Sequence, residues 1–289
     1  MTAIRPRRSV LSMPGSNARA LEKAAGLAAD CLMFDLEDTV APDAKDIARA
    51  QVVAAVQKGG FGRREVLVRI NSLSTALGEA DLAATAGAHG LVLPKVETAE
   101  DVDMARARLL ARNAPGIALW LMIETPLAIL HIKDIAAKAS HPAYPIAAFI
   151  IGPNDIAKQT RIALTPDRLP MLAWISSCLL AARAHGVDMI DGVFNDFKDE
   201  PGFAADSALG RKLGMDGKHI IHPSQIGAAN EAFAPSPEDV AHARKIIAAF
   251  ALPENQGKGV IPLDGRMVEL LHAELAHRTI DFADAIAKE

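Results

Sequence analysis

Short apolar runs alternate with longer amphipathic stretches along this chain. Eight runs read as strands: Ser9–Met13, Cys31–Leu36, Leu67–Ile70, Leu91–Pro94, Leu119–Ile123, Ala147–Ile151, Val187–Asp191 and Lys218–Ile221. Most are near-continuous Val, Ile, Leu, Met and Phe, the pattern of strands buried on both faces. Helical patterns fill the intervals and carry recognisable starts. Thr98 with Asp101 predicts a capping box, and Thr165-Pro166 and Ser236-Pro237 each set an N-cap residue before a proline suited to the first turn. After Pro237, Val240, Ala243, Ile247 and Phe250 recur at helical spacing. Eight strand-then-helix units predict an α/β fold, a (β/α)₈ TIM barrel, over residues 1–252. A doubly wound open sheet is the competing architecture. From Pro253 to Gly265, prolines and glycines interrupt regular structure, and Met267–Lys288 reads as a helical tail. Residues 253–289 are thus expected to form a linker and C-terminal helical extension. Met267, Val268, Leu270, Leu271 and Leu275 give that tail an apolar face in need of a partner.

Composition narrows the function. Half of the 289 residues are apolar and 23% are charged, enough for a substantial core. The net charge of −4 and the 4% aromatic content argue against nucleic-acid binding. The two cysteines, Cys31 and Cys178, stand far apart in apolar runs and read as buried thiols of a reducing compartment. No run approaches the ~18 apolar residues of a membrane span, and the expectation is a soluble, cytoplasmic protein. No dinucleotide fingerprint, Walker loop or nucleophile elbow is present.

Reactive groups of a (β/α)₈ barrel gather at the carboxyl ends of its strands. Those positions here hold Asp35, Glu37, Asp38, Arg69, Asn71, Lys95, Glu97, Glu124, Asp155, Asp191 and His222. Glu124 and Asp155 each follow a very apolar run, where a carboxylate requires pairing, hydrogen bonds or a metal. Carboxylates without clustered His or Cys suit Mg²⁺ better than Zn²⁺, and helix N-capping is the alternative for Asp155. His219 and His222 lie an odd number of residues apart and should face opposite sides of a strand. Arg69 suits a substrate carboxylate or an internal ion pair with Glu37, Asp38 or Glu124. Lys95 raises Schiff-base chemistry, which needs a depressed pKa; a carboxylate such as Glu97 on the same face would oppose it.

Several segments together resemble the citrate lyase β-subunit family, part of the HpcH/HpaI aldolase group that includes malyl-CoA and citramalyl-CoA lyases. They are Arg8–Asn17, Phe34–Pro42, Val68–Asn71, Leu93–Glu97, Ile123–Thr125, Gly152–Asp155, Leu213–Ile226 and Gly265–Val268. The resemblance implies a Mg²⁺-dependent barrel that cleaves a carbon–carbon bond in a 3-hydroxyacyl-CoA, releasing acetyl-CoA and a 2-keto acid. It implies Glu124 and Asp155 as metal ligands, Glu37 and Asp38 as the pair ordering metal-bound water, and Arg69 as the residue on the substrate's carboxylate and oxygen. Arg19 and Lys23 fall on the family's coenzyme A phosphate positions, and Ile221 and His222 where the thioester arm passes. The family's acid–base aspartate, carried on a C-terminal segment that enters a neighbouring subunit, corresponds here to Glu269, which implies a homotrimer or a multiple of one. Glutamate moves the carboxyl by about 1 Å, enough to cost roughly a hundredfold in rate. Asn154 is a second departure, because many members carry an acid there. Three other functions stay open: a citrate lyase β-subunit acting on citryl acyl carrier protein, a malyl-CoA thioesterase in which Glu269 activates water, and a non-catalytic binding protein.

Overall fold

In the computed structural model, which describes residues 4–288, all eight expected strands form. They are β1 (Ser9–Pro14), β2 (Cys31–Asp35), β3 (Glu65–Arg69), β4 (Gly90–Leu93), β5 (Ala118–Ile123), β6 (Ile146–Ile151), β7 (Asp188–Asp191) and β8 (Gly217–Ile220). They pair in parallel in sequence order, and β1 pairs with β8 to close the barrel. At this seam a Cβ on Gly217 would meet the Arg7 carbonyl oxygen at 1.8 Å, so the closure requires a bare α-carbon there.

Alternation along the strands produces two buried layers. Val10, Cys31, Met33, Leu67, Val92, Trp120, Met122, Ala148, Ile150 and Ile190 fill the barrel interior. Trp120 is fully buried, and Gly90 makes room for it: a Cβ at 90 would sit 2.9 Å from the indole. The outward-facing residues, among them Leu32, Phe34, Leu121, Phe149 and Ile151, pack under the helices. At the amino-terminal end Arg7 lies 4.8 Å over the Trp120 ring and bonds Glu65 at 2.9 Å and Asp188 at 2.8 Å. Charges at this end serve stability. Cys31 and Cys178 are free, buried thiols, and burial pushes Cys178 up to about 12.

The helix starts divide. Asp101 accepts the Thr98 N–H at 2.9 Å, and Ser236 and Asp239 cap the helix Pro237–Ala251 reciprocally. Thr165-Pro166, by contrast, opens no helix. The Thr165 hydroxyl donates to Asp167 at 2.6 Å and its carbonyl accepts from the Arg168 N–H at 2.9 Å, closing a turn. The helix begins only at Leu172.

Residues 7–233 form one compact unit; residues 4–6 with 234–288 form a second. This division differs from the expected boundary after residue 252. The helix Pro237–Ala251 packs on the helix Leu270–Ala287 through Ala243, Ile246 and Ala276, so its apolar face is covered by the C-terminal segment. The expected linker also contains structure: β9 (Val260–Leu263) and β10 (Arg266–Glu269) form an antiparallel hairpin. Asp264 and Gly265 turn it, both at positive φ (50° and 75°), as a two-residue type I′ turn requires. Met267–Glu269 is therefore strand, and the tail helix starts at Leu270.

Candidate active site

The carboxyl ends of β2 to β6 bring five carboxylates toward one another. Asp35, fully buried at the end of β2, takes both arms of Arg69: Nε at 2.7 Å and Nη2 at 2.6 Å. The two residues are direct register partners on neighbouring strands. Arg69 thus has its internal ion pair, chiefly with Asp35, which was not expected from sequence, and also with Glu37, one of the three carboxylates that were. Burial works against the Asp35 charge, but Arg69, Thr39 and the Glu37 N–H hold its carboxyl below the usual range. The remaining Arg69 edge, Nη1, stands 3.3 Å from Glu37 Oε2.

Glu37 is buried on the turn after β2, and Asp38 beside it is half exposed. Lys45 anchors that turn by donating to the carbonyls of Leu36 (2.8 Å) and Glu37 (2.7 Å) and to Asn71 Oδ1 (2.9 Å). Neither Asp35 nor Lys45 stood out as an anchor in the sequence, because their roles depend on pairing across strands. Lys95, after β4, donates through Nζ to Glu37 Oε1 and reaches Asp38 at 3.5 Å. Partial burial works against its charge, yet the bond to Glu37, with Asp38 and Glu124 behind it, raises its pKa above the ordinary lysine range. A Schiff base needs the opposite shift. Its partners are Glu37 and Asp38, not Glu97.

Glu124 follows β5 and is almost fully buried. Its Oε1 accepts the Lys95 N–H at 2.8 Å. Its Oε2 lies over the α-carbon of Gly152, where a Cβ would come within 2.6 Å of that oxygen. Burial, then the charge of Glu37, pushes the Glu124 carboxyl up to about 7; Asp155 adds a smaller push in the same direction. Asp155 lies in the first turn of the helix Pro153–Thr160, whose N-cap is Gly152, so Asp155 does not cap it. Asn154 beside it exchanges side-chain amide hydrogen bonds of 3.2 and 2.9 Å with Asn195.

The other expected residues sit on other elements. Arg19 and Lys23 are exposed, four apart on the helix Ala18–Lys23 that follows β1. Ile221 is exposed at the end of β8, and His222 stacks on Phe197 with ring centroids 4.5 Å apart. Gln225 Oε1 accepts the N–H groups of Ile221 (3.0 Å) and His222 (3.2 Å), which fixes that rim. His219 is buried in register with Val10 of the interior. Burial and the nearby Arg69 push it down to about 3, and it stays neutral. Glu269 ends β10 in the second unit, exposed, its N–H donating to His272 Nδ1 at 3.0 Å.

A second charged cluster, missed from sequence, sits outside the barrel wall at β7 and β8. Lys218, fully buried, donates to Asp191 (2.8 Å), Asp206 (2.6 Å) and the Gly192 carbonyl (2.9 Å). Arg168 bonds the same two aspartates, with Asp191 at 2.7 and 2.8 Å. A cavity of about 410 Å³ lies above it, lined by Pro153, Met171, Val193 and Phe194 but by none of Glu37, Asp38 or Glu124.

A model of the HpcH/HpaI aldolase/citrate lyase family matches residues 8–223. The chain belongs to that family. Within it, the chain is 45% identical to the (3S)-malyl-CoA thioesterase of Cereibacter sphaeroides, covering 98% of this chain and 96% of that one. It is 36% identical to the citrate lyase subunit beta of Escherichia coli over 92% and 89% of the two chains. Identity to the L-malyl-CoA/beta-methylmalyl-CoA lyase of C. sphaeroides is 34%, over 98% and 96%. Among solved HpcH/HpaI-type folds, the CitE protein of Mycobacterium tuberculosis in complex with magnesium, acetoacetate and coenzyme A superposes with a TM-score of 0.75. That match has 28% identity and covers 96% of this chain and 97% of that one.

Among the described residues, no three His, Cys, Asp or Glu side chains converge as a closed metal cage. Mg²⁺ is commonly held by one or two carboxylates and completed by water and ligand oxygens. Glu124 with a raised pKa and the buried Glu37 Oε2, which forms no hydrogen bond, are acceptors suited to a hard cation.

Proposed function

We propose that this chain is a Mg²⁺-dependent thioesterase acting on a malyl-type 3-hydroxyacyl-CoA, releasing the hydroxy acid and free CoA. The 45% identity to a (3S)-malyl-CoA thioesterase along nearly the whole of both chains carries this reading, set against 34–36% for the lyases. Glu269 in place of the aspartate implied by the family resemblance is consistent with a changed proton-transfer step.

Glu124 and Asp155 would hold the ion. When bound, Mg²⁺ supplies Lewis acidity and a fixed anchor for the carboxylate and hydroxyl of the substrate. Arg69, with two nitrogens committed to Asp35, offers Nη1 to a substrate oxygen. Glu37, fixed by Lys45 and Lys95, and the half-exposed Asp38 would orient water beside the ion. Arg19 and Lys23 suit the coenzyme A phosphates, and Ile221 with His222 lines the thioester arm. Glu269 of a neighbouring subunit, as the family resemblance implies, would take a proton from the water that attacks the thioester carbonyl; the carbon–sulfur bond then breaks and the thiolate leaves.

Carbon–carbon cleavage is the second reading, favoured by the two lyase relatives and by the CitE complex with acetoacetate and coenzyme A. It would give acetyl-CoA and a keto acid, or act on a citryl acyl carrier protein if the chain serves as a citrate lyase subunit. Exposed Met267, Leu270, Leu271 and Leu275 support a homotrimer or a multiple of one, and the two free thiols support a cytoplasmic setting. No described helix is long and apolar enough to cross a membrane. Incubation of purified protein with Mg²⁺ and (3S)-malyl-CoA, with products identified by mass, tests the proposal. Malate plus CoA is expected; glyoxylate plus acetyl-CoA would replace it with the lyase, and no turnover on any hydroxyacyl thioester would overturn both.

A further inference from the structure

We infer that Lys95 is a positioning residue that sets two acidic arms of the site at once, Glu124 through its backbone and Glu37 through its side chain. The inference rests on the metal site proposed above. Lys95 has φ of 51°, in the left-handed region where an L side chain is crowded and glycine is at ease. Its N–H donates to Glu124 Oε1 at 2.8 Å, which leaves Oε2 of the same carboxylate, over Gly152, to face a cation.

The side chain meanwhile spans from the end of β4 to the turn after β2, where Nζ meets Glu37 Oε1 and approaches Asp38 at 3.5 Å. Glu37 and Glu124 follow strands β2 and β5, which do not pair with each other. Lys95 is the one described residue hydrogen-bonded to both of their side chains. Glycine at 95 would make the backbone contact without crowding but would leave Glu37 without its cation. φ sets the angle between the N–H and the side chain, so lysine in an ordinary backbone conformation could not direct both contacts at once. Backbone crowding at functional positions persists where the surroundings enforce it, and here it joins the two contacts in one residue.

The test separates the two contacts, with Mn²⁺ as the probe, read by electron paramagnetic resonance, alongside steady-state kinetics. Lys95→Met and Lys95→Gly keep the N–H and are expected to bind Mn²⁺ within about threefold of the parent while kcat/KM falls about 10- to 100-fold. Lys95→Gly should melt no lower than the parent, because the crowding is relieved. Lys95→Arg, which retains a cation, should recover about tenfold of the loss. Lys95→Met with full kcat/KM, or Lys95→Gly losing Mn²⁺ as completely as Glu124→Gln, would overturn the inference. Full Mn²⁺ binding by Glu124→Gln would overturn the metal site beneath it, and is distinguishable because the Lys95 variants need not be measured to see it.

Discussion

The two charged clusters at the carboxyl end of this barrel differ in balance. At β7 and β8, Arg168 and Lys218 meet Asp191 and Asp206 one for one, all hydrogen-bonded and mostly buried. Burial alone would raise the Asp191 pKa, yet Lys218 and Arg168 outweigh it and bring it below the usual range. At β2 to β6, Asp35, Glu37, Asp38, Glu124 and Asp155 outnumber the side chains that pair with them, Arg69 and Lys95. Glu124 carries the surplus, and its carboxyl rises to about 7. The first cluster is neutralised from within; the surplus negative charge of the second suits the cation proposed for it above.

Removing one charge from each cluster should therefore have opposite effects. Lys218→Met leaves two buried aspartates with a single cation and is expected to cost about 3–5 kcal/mol in urea denaturation. A loss below about 1 kcal/mol would show that the cluster is not structural. Glu124→Gln should instead stabilise the metal-free protein. Its folded pKa lies above its unfolded value, so the parent is most stable below the unfolded pKa and loses stability as pH rises through about 7. In EDTA the glutamine variant should gain up to about 3 kcal/mol at pH near 8 and nothing near pH 4. Parallel pH profiles for parent and variant would refute this. The smallest effect is expected at the edge between the clusters. Asn195→Ala removes the exposed amide pair with Asn154 and should cost under about 1 kcal/mol, while weakening Mn²⁺ binding up to about tenfold by calorimetry. Unchanged affinity would detach Asn195 from the Asp155 turn.

Most of the barrel is written in local pattern, and the eight strands lie within two residues of where apolar runs place them. The C-terminal hairpin was also legible, since Asp264-Gly265 between Val260–Leu263 and Arg266–Glu269 is a type I′ signal; the scattered prolines and glycines around it masked the alternation. Thr165-Pro166 misleads because a turn and a helix start use the same residues. In the candidate site, the strand ends disclose which groups are present, but not who holds whom. Asp35 meets Arg69 only through the β2–β3 register. Lys218 finds Asp206 only when a helix folds back over its strand, and nothing local in Leu93–Glu97 marks the left-handed turn at Lys95.

The seam between β1 and β8 also bears on how the chain is made. Ser9 waits for Lys218, some two hundred residues downstream, and at typical synthesis rates that is on the order of ten to forty seconds. Throughout that interval β1 can pair on one side only, and its other edge is an open template for a stray strand. A chain cut short before Gly217 lacks the partner strand and cannot close the barrel.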